Sequence, residues 1–288
     1  MIYMLCVKGA DFVLEILKAI LFGIIEGITE WLPISSTGHM ILLDEIFQLN
    51  VSEEFYEMFQ VIIQLGAIAA VLVLFWEKLN PYYPKKTEQQ RQMTWSLWVK
   101  VMIAVIPSAV LGLQLDDWMD ENLYNHVVVA ITLALYGIAF ILVEKRNRDL
   151  TPKIRNVHAI DVRTALMIGF FQCLALVPGT SRSGATILGA ILLGVGRGAA
   201  SEFSFFLAIP TMLGASLLKL VKFMFSGVGM GVTEFFVLVV GCVTSFAVSI
   251  FVIRKLMEYV RRNNFSTFGL YRIALGTVVI LYYLFSLL

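Results

Sequence analysis

The chain has 288 residues, of which 59% are hydrophobic and 15% are charged, and its mean hydropathy is +0.82. Soluble domains carry about 25% charged residues, so this composition excludes an ordinary soluble protein and predicts one membrane domain over residues 1–288. The formal net charge of +1 excludes a general attraction to nucleic acid, and we expect no nucleic-acid partner.

The first apolar region is interrupted by polar residues. Glu26 and Glu30 are four residues apart and share one face of a helix, which Pro33 should end. The polar run SSTGH follows before the apolar pattern resumes. Since non-helical backbone at membrane depth requires protein or water to satisfy it, we predict a re-entrant helix hairpin over residues 14–48.

Three uninterrupted apolar stretches then predict membrane spans, each long enough to cross a bilayer. These predicted spans are Met58–Trp76, Leu97–Leu113 and Val127–Val143. A second interrupted region, residues 163–196, breaks at PGTSRSGAT and predicts a second re-entrant hairpin. Three further spans follow it, at Phe203–Phe225, Thr233–Ile253 and Phe268–Leu288.

Basic residues are concentrated in three links between the spans, at 77–100, 144–163 and 254–262. The acidic link 114–125 contains no lysine or arginine. The positive-inside rule therefore places the three basic links in the cytoplasm. Both termini and the base of the first hairpin are then predicted to lie outside.

The two halves of the chain have the same order of elements, one hairpin and three spans, over residues 12–143 and 159–288. An offset of 146 residues aligns Gly23 with Gly169, Glu26 with Gln172, Ser35 with Ser181, Thr37 with Ser183, and Gly38 with Gly184. Inverted repeats with broken helices form a polar site near the membrane midplane. The predicted fold is an all-α integral membrane protein with six transmembrane helices plus two re-entrant helix hairpins in an inverted-topology repeat.

The tips of both hairpins would bring charged and hydroxyl side chains together at membrane depth. The candidate site residues are Glu26, Glu30, Ser35, Ser36, Thr37, His39, Ser181, Arg182, Ser183 and Thr186. Intramembrane charges cost about 2.5 kcal/mol or more each and usually mark functional sites. A purely structural ion pair between a glutamate and the arginine is the alternative.

These residue types indicate phosphoryl transfer. A guanidinium group binds phosphate oxygens bidentately, and hydroxyls and backbone N–H groups at a helix start assist it. The predicted phosphate-binding residues are Arg182, Ser181, Ser183, Thr186, Ser35 and Thr37. Paired carboxylates near a phosphate favour Mg²⁺ or Ca²⁺, so Glu26 and Glu30 are the predicted metal ligands.

Three nucleophiles remain open at this point. We favour Ser36 as the nucleophile with His39 as its acid/base, because the two residues share one helix face if the chain turns helical after Pro33. Glu30 is the other residue that could take the serine proton. In the second scheme His39 attacks phosphorus and Ser36 donates a hydrogen bond. In the third, metal-bound water attacks directly.

The segments EGITEWLPISSTGH and PGTSRSGAT resemble the two signature motifs of the bacterial undecaprenyl-diphosphate phosphatase family, also called bacitracin-resistance proteins. The resemblance runs from about Leu14 and includes FQVIIQLGAIAAV at 59–71 and PTMLGA at 210–215. The positions that match the family's functional residues are Glu26, Glu30, Ser36, His39 and Arg182.

The resemblance implies removal of the terminal phosphate of undecaprenyl diphosphate, with Mg²⁺ or Ca²⁺, at a site open to the outer face of the bacterial plasma membrane. It further implies lipid-carrier recycling for the cell wall and bacitracin resistance. A polyprenyl-phosphate flippase or transporter is the alternative, but a Ser-x-x-His beside two carboxylates favours the enzyme. The expected partners are the lipid substrate, the bilayer and, as an open alternative, a second copy in a homodimer.

Overall fold

The computed structural model describes residues 2–286, apart from the side chains of residues 2–10, 116, 117 and 120. Over these residues the fold is all-helical and forms no strand, as predicted. Its helices are α1 Ile2–Thr29, α2 Ser36–Ile46, α3 Glu53–Leu74, α4 Trp76–Leu79, α5 Glu88–Leu123, α6 His126–Arg146, α7 Val162–Cys173, α8 Arg182–Leu192, α9 Arg197–Phe225, α10 Val232–Tyr259 and α11 Ser266–Ser286. Helices suit a bilayer because each satisfies its own backbone polar groups.

Six helices in the described part of the chain are long and apolar enough to cross a membrane: α3, α5, α6, α9, α10 and α11. They correspond to the six predicted spans, so the prediction of six helices able to span a membrane, in this order, is confirmed. Some boundaries differ from the prediction. The helix α5 begins at Glu88 because Thr87 and Gln90 form a reciprocal capping box, and it continues to Leu123 through most of the acidic link.

The chain breaks its helices at both predicted polar stretches. The helix α1 ends at Thr29 and α2 starts at Ser36, whereas α7 is followed by a 3-10 turn at Leu174–Leu176 before α8. The helices α7 and α8, with 12 and 11 residues, are too short to cross a bilayer. The helix α1 starts at Ile2, twelve residues before the predicted start of the first hairpin at residue 14.

The two breaks have the same local backbone geometry. Ser35 and Ser181 adopt positive φ angles of 74° and 70°, and no other non-glycine residue of the described chain does so. Each caps the following helix, accepting a hydrogen bond from the N–H of Gly38 or Gly184. In both breaks one serine has the positive φ that turns the chain sharply, and its side chain also caps the next helix, so α2 and α8 begin in the same way.

The two halves of the chain interlock through close helix contacts. A Cβ atom added at Gly23 of α1 would lie 2.6 Å from the carbonyl oxygen of Gly241 on α10. One added at Gly169 of α7 would lie 2.2 Å from the carbonyl oxygen of Ala104 on α5. Only glycine permits such backbone approach. Each broken helix therefore packs on a spanning helix of the other half.

Links of like charge gather at opposite ends of the bundle. Residues of the basic links, including Lys78, His158 and Arg261, line one cavity at one end. Asp44 and Glu45, at the base of the first helix pair, line another with His126 at the start of α6. This grouping matches the distribution on which the predicted orientation rests.

Candidate active site

One buried side chain holds the two helix breaks together. The guanidinium group of Arg272, on α11, is fully buried. It donates to the carbonyl oxygen of Pro33 at 3.2 Å and to those of Gly179 and Thr180, each at 2.9 Å. Buried carbonyls need such partners, so Arg272 fixes the relative position of the two loops.

A hydroxyl adds a second connection between the loops. Ser183 donates to the carbonyl oxygen of Glu30 at 3.0 Å and lies 3.2 Å from the hydroxyl of Ser181. Thr186 donates to the carbonyl oxygen of Arg182 and lies 2.7 Å from the hydroxyl of Ser204 on α9. Ser183 and Thr186 are buried, and in this structure they bond to protein groups.

The central ion pair joins the two predicted motifs. Arg182 donates through Nη2 and Nε to one carboxylate oxygen of Glu30, at 3.0 and 3.3 Å. Its Nη1 donates to the carbonyl oxygen of Ser204 at 2.9 Å, and the group lies 5.9 Å from the ring centre of Trp31. These contacts hold the guanidinium group in place.

The second oxygen of Glu30 accepts a hydrogen bond from the hydroxyl of Ser36 at 3.3 Å. The carboxylate of Glu30 thus lies between Ser36, a candidate nucleophile, and Arg182, a candidate anion-binding group. Of the two bases that the sequence offers for Ser36, Glu30 is the one that contacts it. A carboxylate in this position can accept the serine proton as the oxygen attacks.

Both ring nitrogens of His39 have other partners. Its Nδ1 lies 2.7 Å from the carbonyl oxygen of Ser35, and its Nε2 lies 2.8 Å from the hydroxyl of Tyr271. The carbonyl can only accept, so Nδ1 carries a proton, and in the neutral ring Tyr271 then donates to Nε2. The two rings are also stacked, at 5.7 Å. The arrangement engages His39 with the loop and with α11 rather than with Ser36.

Glu26 lies one helical turn before Glu30, close to its carboxylate. It is 1% exposed, and one of its carboxylate oxygens is buried with no hydrogen-bond partner. A buried carboxylate oxygen without a partner is costly, which calls for an explanation. This oxygen is therefore chemically suited to bind a cation.

A cavity of about 400 Å³ opens onto the site. Its polar lining comprises Glu30, Ser36, Thr37, Gln64, Ser108, Gln172, Ser181, Arg182 and Thr211. Most of its remaining lining is apolar and comes from α5, α9 and the loop before α8. The pocket therefore combines a polar end at the ion pair with an apolar extension along two spanning helices.

The sequence profile of the bacitracin resistance protein BacA family matches residues 19–278. This match covers both helix breaks, the first five spanning helices and the first part of α11. The chain belongs to the BacA family.

Three curated proteins named undecaprenyl-diphosphatase illustrate the similarity. Those from Enterococcus faecalis and Lactiplantibacillus plantarum are each 55% identical to this chain, over 93% and 94% of it and 98% of their own length. The one from Acetivibrio thermocellus is 56% identical, over 94% of this chain and 98% of its own. The similarity thus extends over almost the whole of each protein.

The sequence of this BacA protein did not predict several residues that contact the site, among them Ser204 on α9 and the neighbours Tyr271 and Arg272 on α11. Tyr271 and Arg272 lie on α11, at the far end of the chain from the first motif, and the sequence analysis assigned them no role. The sequence does contain one signal for Arg272, since it is a charged residue inside a predicted span and such residues mark functional or structural sites. Nothing in the local sequence indicates that Tyr271 contacts His39.

Proposed function

We propose that this chain hydrolyses undecaprenyl diphosphate to undecaprenyl phosphate and inorganic phosphate, recycling the lipid carrier for cell-wall synthesis and giving bacitracin resistance. The observation that carries the proposal is the Ser36–Glu30–Arg182 series of contacts inside the cavity. It places a nucleophile, a proton acceptor and an anion-binding group in direct contact. The full-length similarity to proteins named undecaprenyl-diphosphatase supports the choice of substrate.

In the proposed mechanism Arg182 binds the terminal phosphate and stabilises its negative charge. The Ser36 oxygen attacks the terminal phosphorus while Glu30 accepts its proton. The bond between that phosphorus and the bridging oxygen breaks, and undecaprenyl phosphate leaves. Water then hydrolyses the phosphoserine and regenerates the hydroxyl of Ser36. In the two rival schemes, phosphorus is attacked by His39 or directly by water.

The other predicted phosphate-binding residues divide into two groups. Thr37 and Ser181 line the cavity, so their hydroxyls are available to the substrate. Ser35, Ser183 and Thr186 are buried, and their hydrogen bonds shape the loops that hold Arg182 and Ser36. We assign Thr37 and Ser181 to binding the phosphate. We assign the buried hydroxyls to holding the loops in position.

The residues present fit a divalent cation. Glu26 offers a buried carboxylate oxygen without a partner, and Glu30 is beside it. The described chain holds no group of three or more histidine, cysteine, aspartate or glutamate residues that could form a closed metal cage. Mg²⁺ is commonly held by one or two carboxylates together with substrate phosphates. When bound here, Mg²⁺ or Ca²⁺ would neutralise charge on the diphosphate.

The apolar part of the cavity suits the lipid chain. Val105, Ala109 and Leu113 line it from α5, and Met212 and Leu218 line it from α9. Burying prenyl groups against such side chains contributes about 25 cal/mol per Å² of apolar area. The diphosphate then lies at Arg182 while the chain extends along the two helices.

The membrane arrangement is part of the proposal. Both helix pairs, α1–α2 and α7–α8, are assigned as re-entrant hairpins of an inverted repeat, within residues 12–143 and 159–288. Support comes from the matching geometry of Ser35 and Ser181, which the 146-residue offset pairs. The basic end of the bundle is assigned to the cytoplasm, so that the site opens toward the outer face of the plasma membrane.

Phosphate release from undecaprenyl diphosphate by the purified chain tests the proposal. We expect release that depends on Mg²⁺ or Ca²⁺ and is abolished by chelation, with a folded Arg182→Gln variant as the control. If the unmodified chain releases no more phosphate than the Arg182→Gln variant, the proposal is wrong. In that case proteoliposomes containing a polyprenyl phosphate would test the flippase alternative, for which the paired helix breaks are the supporting observation.

The homodimer stays a prediction, which the mass of the protein in nanodiscs would test.

A further inference from the structure

A larger cavity, of about 1040 Å³, lies at the basic end of the bundle. Six of its lining residues are lysine or arginine and three are glutamate. These are Lys78, Lys85, Lys86, Arg254, Arg261 and Arg262, against Glu77, Glu202 and Glu258. We refer to it as the basic cavity.

The charges of the basic cavity are only partly neutralised. Lys78 pairs with Glu202 at 2.7 Å, while Glu258 pairs with Lys255, which is not part of the lining. Among the described residues, Arg254 and Arg261 have no ion-pair partner. A concave surface with an excess of one charge concentrates ions of the opposite charge.

One ammonium group is already positioned in the basic cavity. Lys86 donates to the hydroxyl of Thr94 at 2.6 Å and to the carbonyl oxygen of Lys78 at 3.1 Å. Burial, and then the charges of Lys78 and Lys86, lower the pKa of the neighbouring His158. The local potential is therefore positive at this hydrogen-bonded ammonium group as well as at the other cationic side chains of the basic cavity.

The inner wall of the basic cavity is apolar and adjoins the candidate active site. Phe75 on this wall contacts Phe205, with ring centres 6.3 Å apart, and Phe205 contacts Trp31 at 5.2 Å. The guanidinium group of Arg182 lies 5.9 Å from the ring centre of Trp31. Three aromatic rings therefore separate the two cationic regions.

We propose that the basic cavity is a second phosphate-binding site, distinct from the candidate active site and at the opposite side of the aromatic rings. Its ligand carries a phosphate monoester or is the free phosphate ion. The positive-inside rule alone would place lysine and arginine in these cytoplasmic links. It does not require them to line a cavity, nor does it require a hydrogen-bonded ammonium group there. Cationic donors surrounding a concave space suit the phosphate group.

Binding of radiolabelled farnesyl phosphate to the chain in phosphatidylcholine nanodiscs tests this proposal. The Arg182→Gln background removes the anion-binding group of the candidate active site, and empty nanodiscs correct for partitioning. In that background we expect saturable binding, which a double variant, Arg254→Gln with Arg261→Gln, weakens by roughly tenfold or more. The matched control is Arg155→Gln with Arg163→Gln, because both residues are exposed on basic links and lie outside the basic cavity.

The outcomes separate the ligand sources and the two sites. Displacement by inorganic phosphate at equal affinity assigns the site to the free ion, whereas displacement only by farnesyl phosphate assigns it to a lipid headgroup, and both support a phosphate site. Absence of saturable binding in the Arg182→Gln background, or an equal loss in the control pair, overturns the proposal. Phosphatase activity of the Arg254→Gln, Arg261→Gln variant with Arg182 intact should stay within about twofold of the unmodified chain, so the test is independent of the proposed catalysis.

Discussion

The guanidinium group of Arg182 uses its planar shape in two directions, toward the carboxylate of Glu30 and toward the carbonyl oxygen of Ser204. An ammonium group cannot reproduce this geometry, because it is a point charge on a flexible stem. The Arg182→Lys variant therefore tests the anion-binding role separately from charge.

We expect Arg182→Lys to lower kcat/KM for undecaprenyl diphosphate by roughly ten- to a hundredfold. The basis is a loss of about 1.5–3 kcal/mol for each charge-assisted hydrogen bond to phosphate, where about 1.4 kcal/mol corresponds to a factor of ten. The measurement is steady-state phosphate release by protein that elutes as a single species. Turnover close to that of the unmodified chain would show that Arg182 does not bind the phosphate.

The contact between Ser36 and Glu30 predicts a phosphoserine intermediate. A phosphoserine survives acid and is lost in strong base, whereas a phosphohistidine behaves in the opposite way. Enzyme quenched during turnover of labelled substrate should hold an acid-stable adduct, and Ser36→Ala should abolish it. Glu30→Gln should slow its formation, because the amide cannot accept the serine proton. An acid-labile adduct that persists in Ser36→Ala would instead identify His39 as the nucleophile.

The unpartnered carboxylate oxygen of Glu26 predicts a specific effect on metal activation. Glu26→Gln keeps the shape of the side chain but removes its charge, so activation should require a higher Mg²⁺ or Ca²⁺ concentration. The measurement is initial rate against metal concentration, with Glu15→Gln as control, since Glu15 is also buried in α1 but pairs with Lys18. Identical metal titrations for Glu26→Gln and the unmodified chain would contradict the assignment.

At the scale of elements, α11 determines how the two loops meet. Arg272 is the only described side chain that donates to carbonyl oxygens of both helix breaks, at Pro33 and at Gly179 and Thr180. The next residue toward the N-terminus, Tyr271, contacts His39. One turn of a spanning helix thus supports two parts of the candidate site.

We expect Arg272→Met to destabilise the protein strongly. It leaves three buried carbonyl oxygens without their donor, at a cost of about 1–3 kcal/mol for each. The measurement is the midpoint of thermal unfolding in detergent, with the exposed Arg163→Met as control. Arg272→Lys should recover part of the stability by donating to some of these oxygens. A midpoint for Arg272→Met equal to that of the control would show that the loops are held by other contacts.

At the scale of the whole molecule, charged links group at the two ends of the helix bundle. The predicted orientation puts Leu150 in the cytoplasm and Trp118 outside, and both side chains are exposed. Single cysteines at these positions, in a background without the three native cysteines, should react with a membrane-impermeant thiol reagent from opposite sides. Labelling of both from one side would contradict the proposed arrangement.

The amino-acid sequence by itself determined the all-helical fold, the six spans and the location of both helix breaks. These properties depend on local physics: the length of an apolar stretch, the exclusion of lysine and arginine from lipid, and the backbone limits of proline and glycine. Boundaries were less predictable. The helix α5 extends beyond its apolar core, and the capping box of Thr87 and Gln90 fixes its start nine residues before the predicted span.

Only the tertiary structure decided which side chains contact one another at the candidate site. The contact between Glu30 and Arg182 joins residues 152 positions apart, and that between His39 and Tyr271 joins residues 232 apart. Spacing predicted that Ser36 and His39 share a helix face, but packing against α11 gives His39 a different partner. Such contacts depend on how helices far apart in the sequence pack together, and no local sequence pattern predicts that packing.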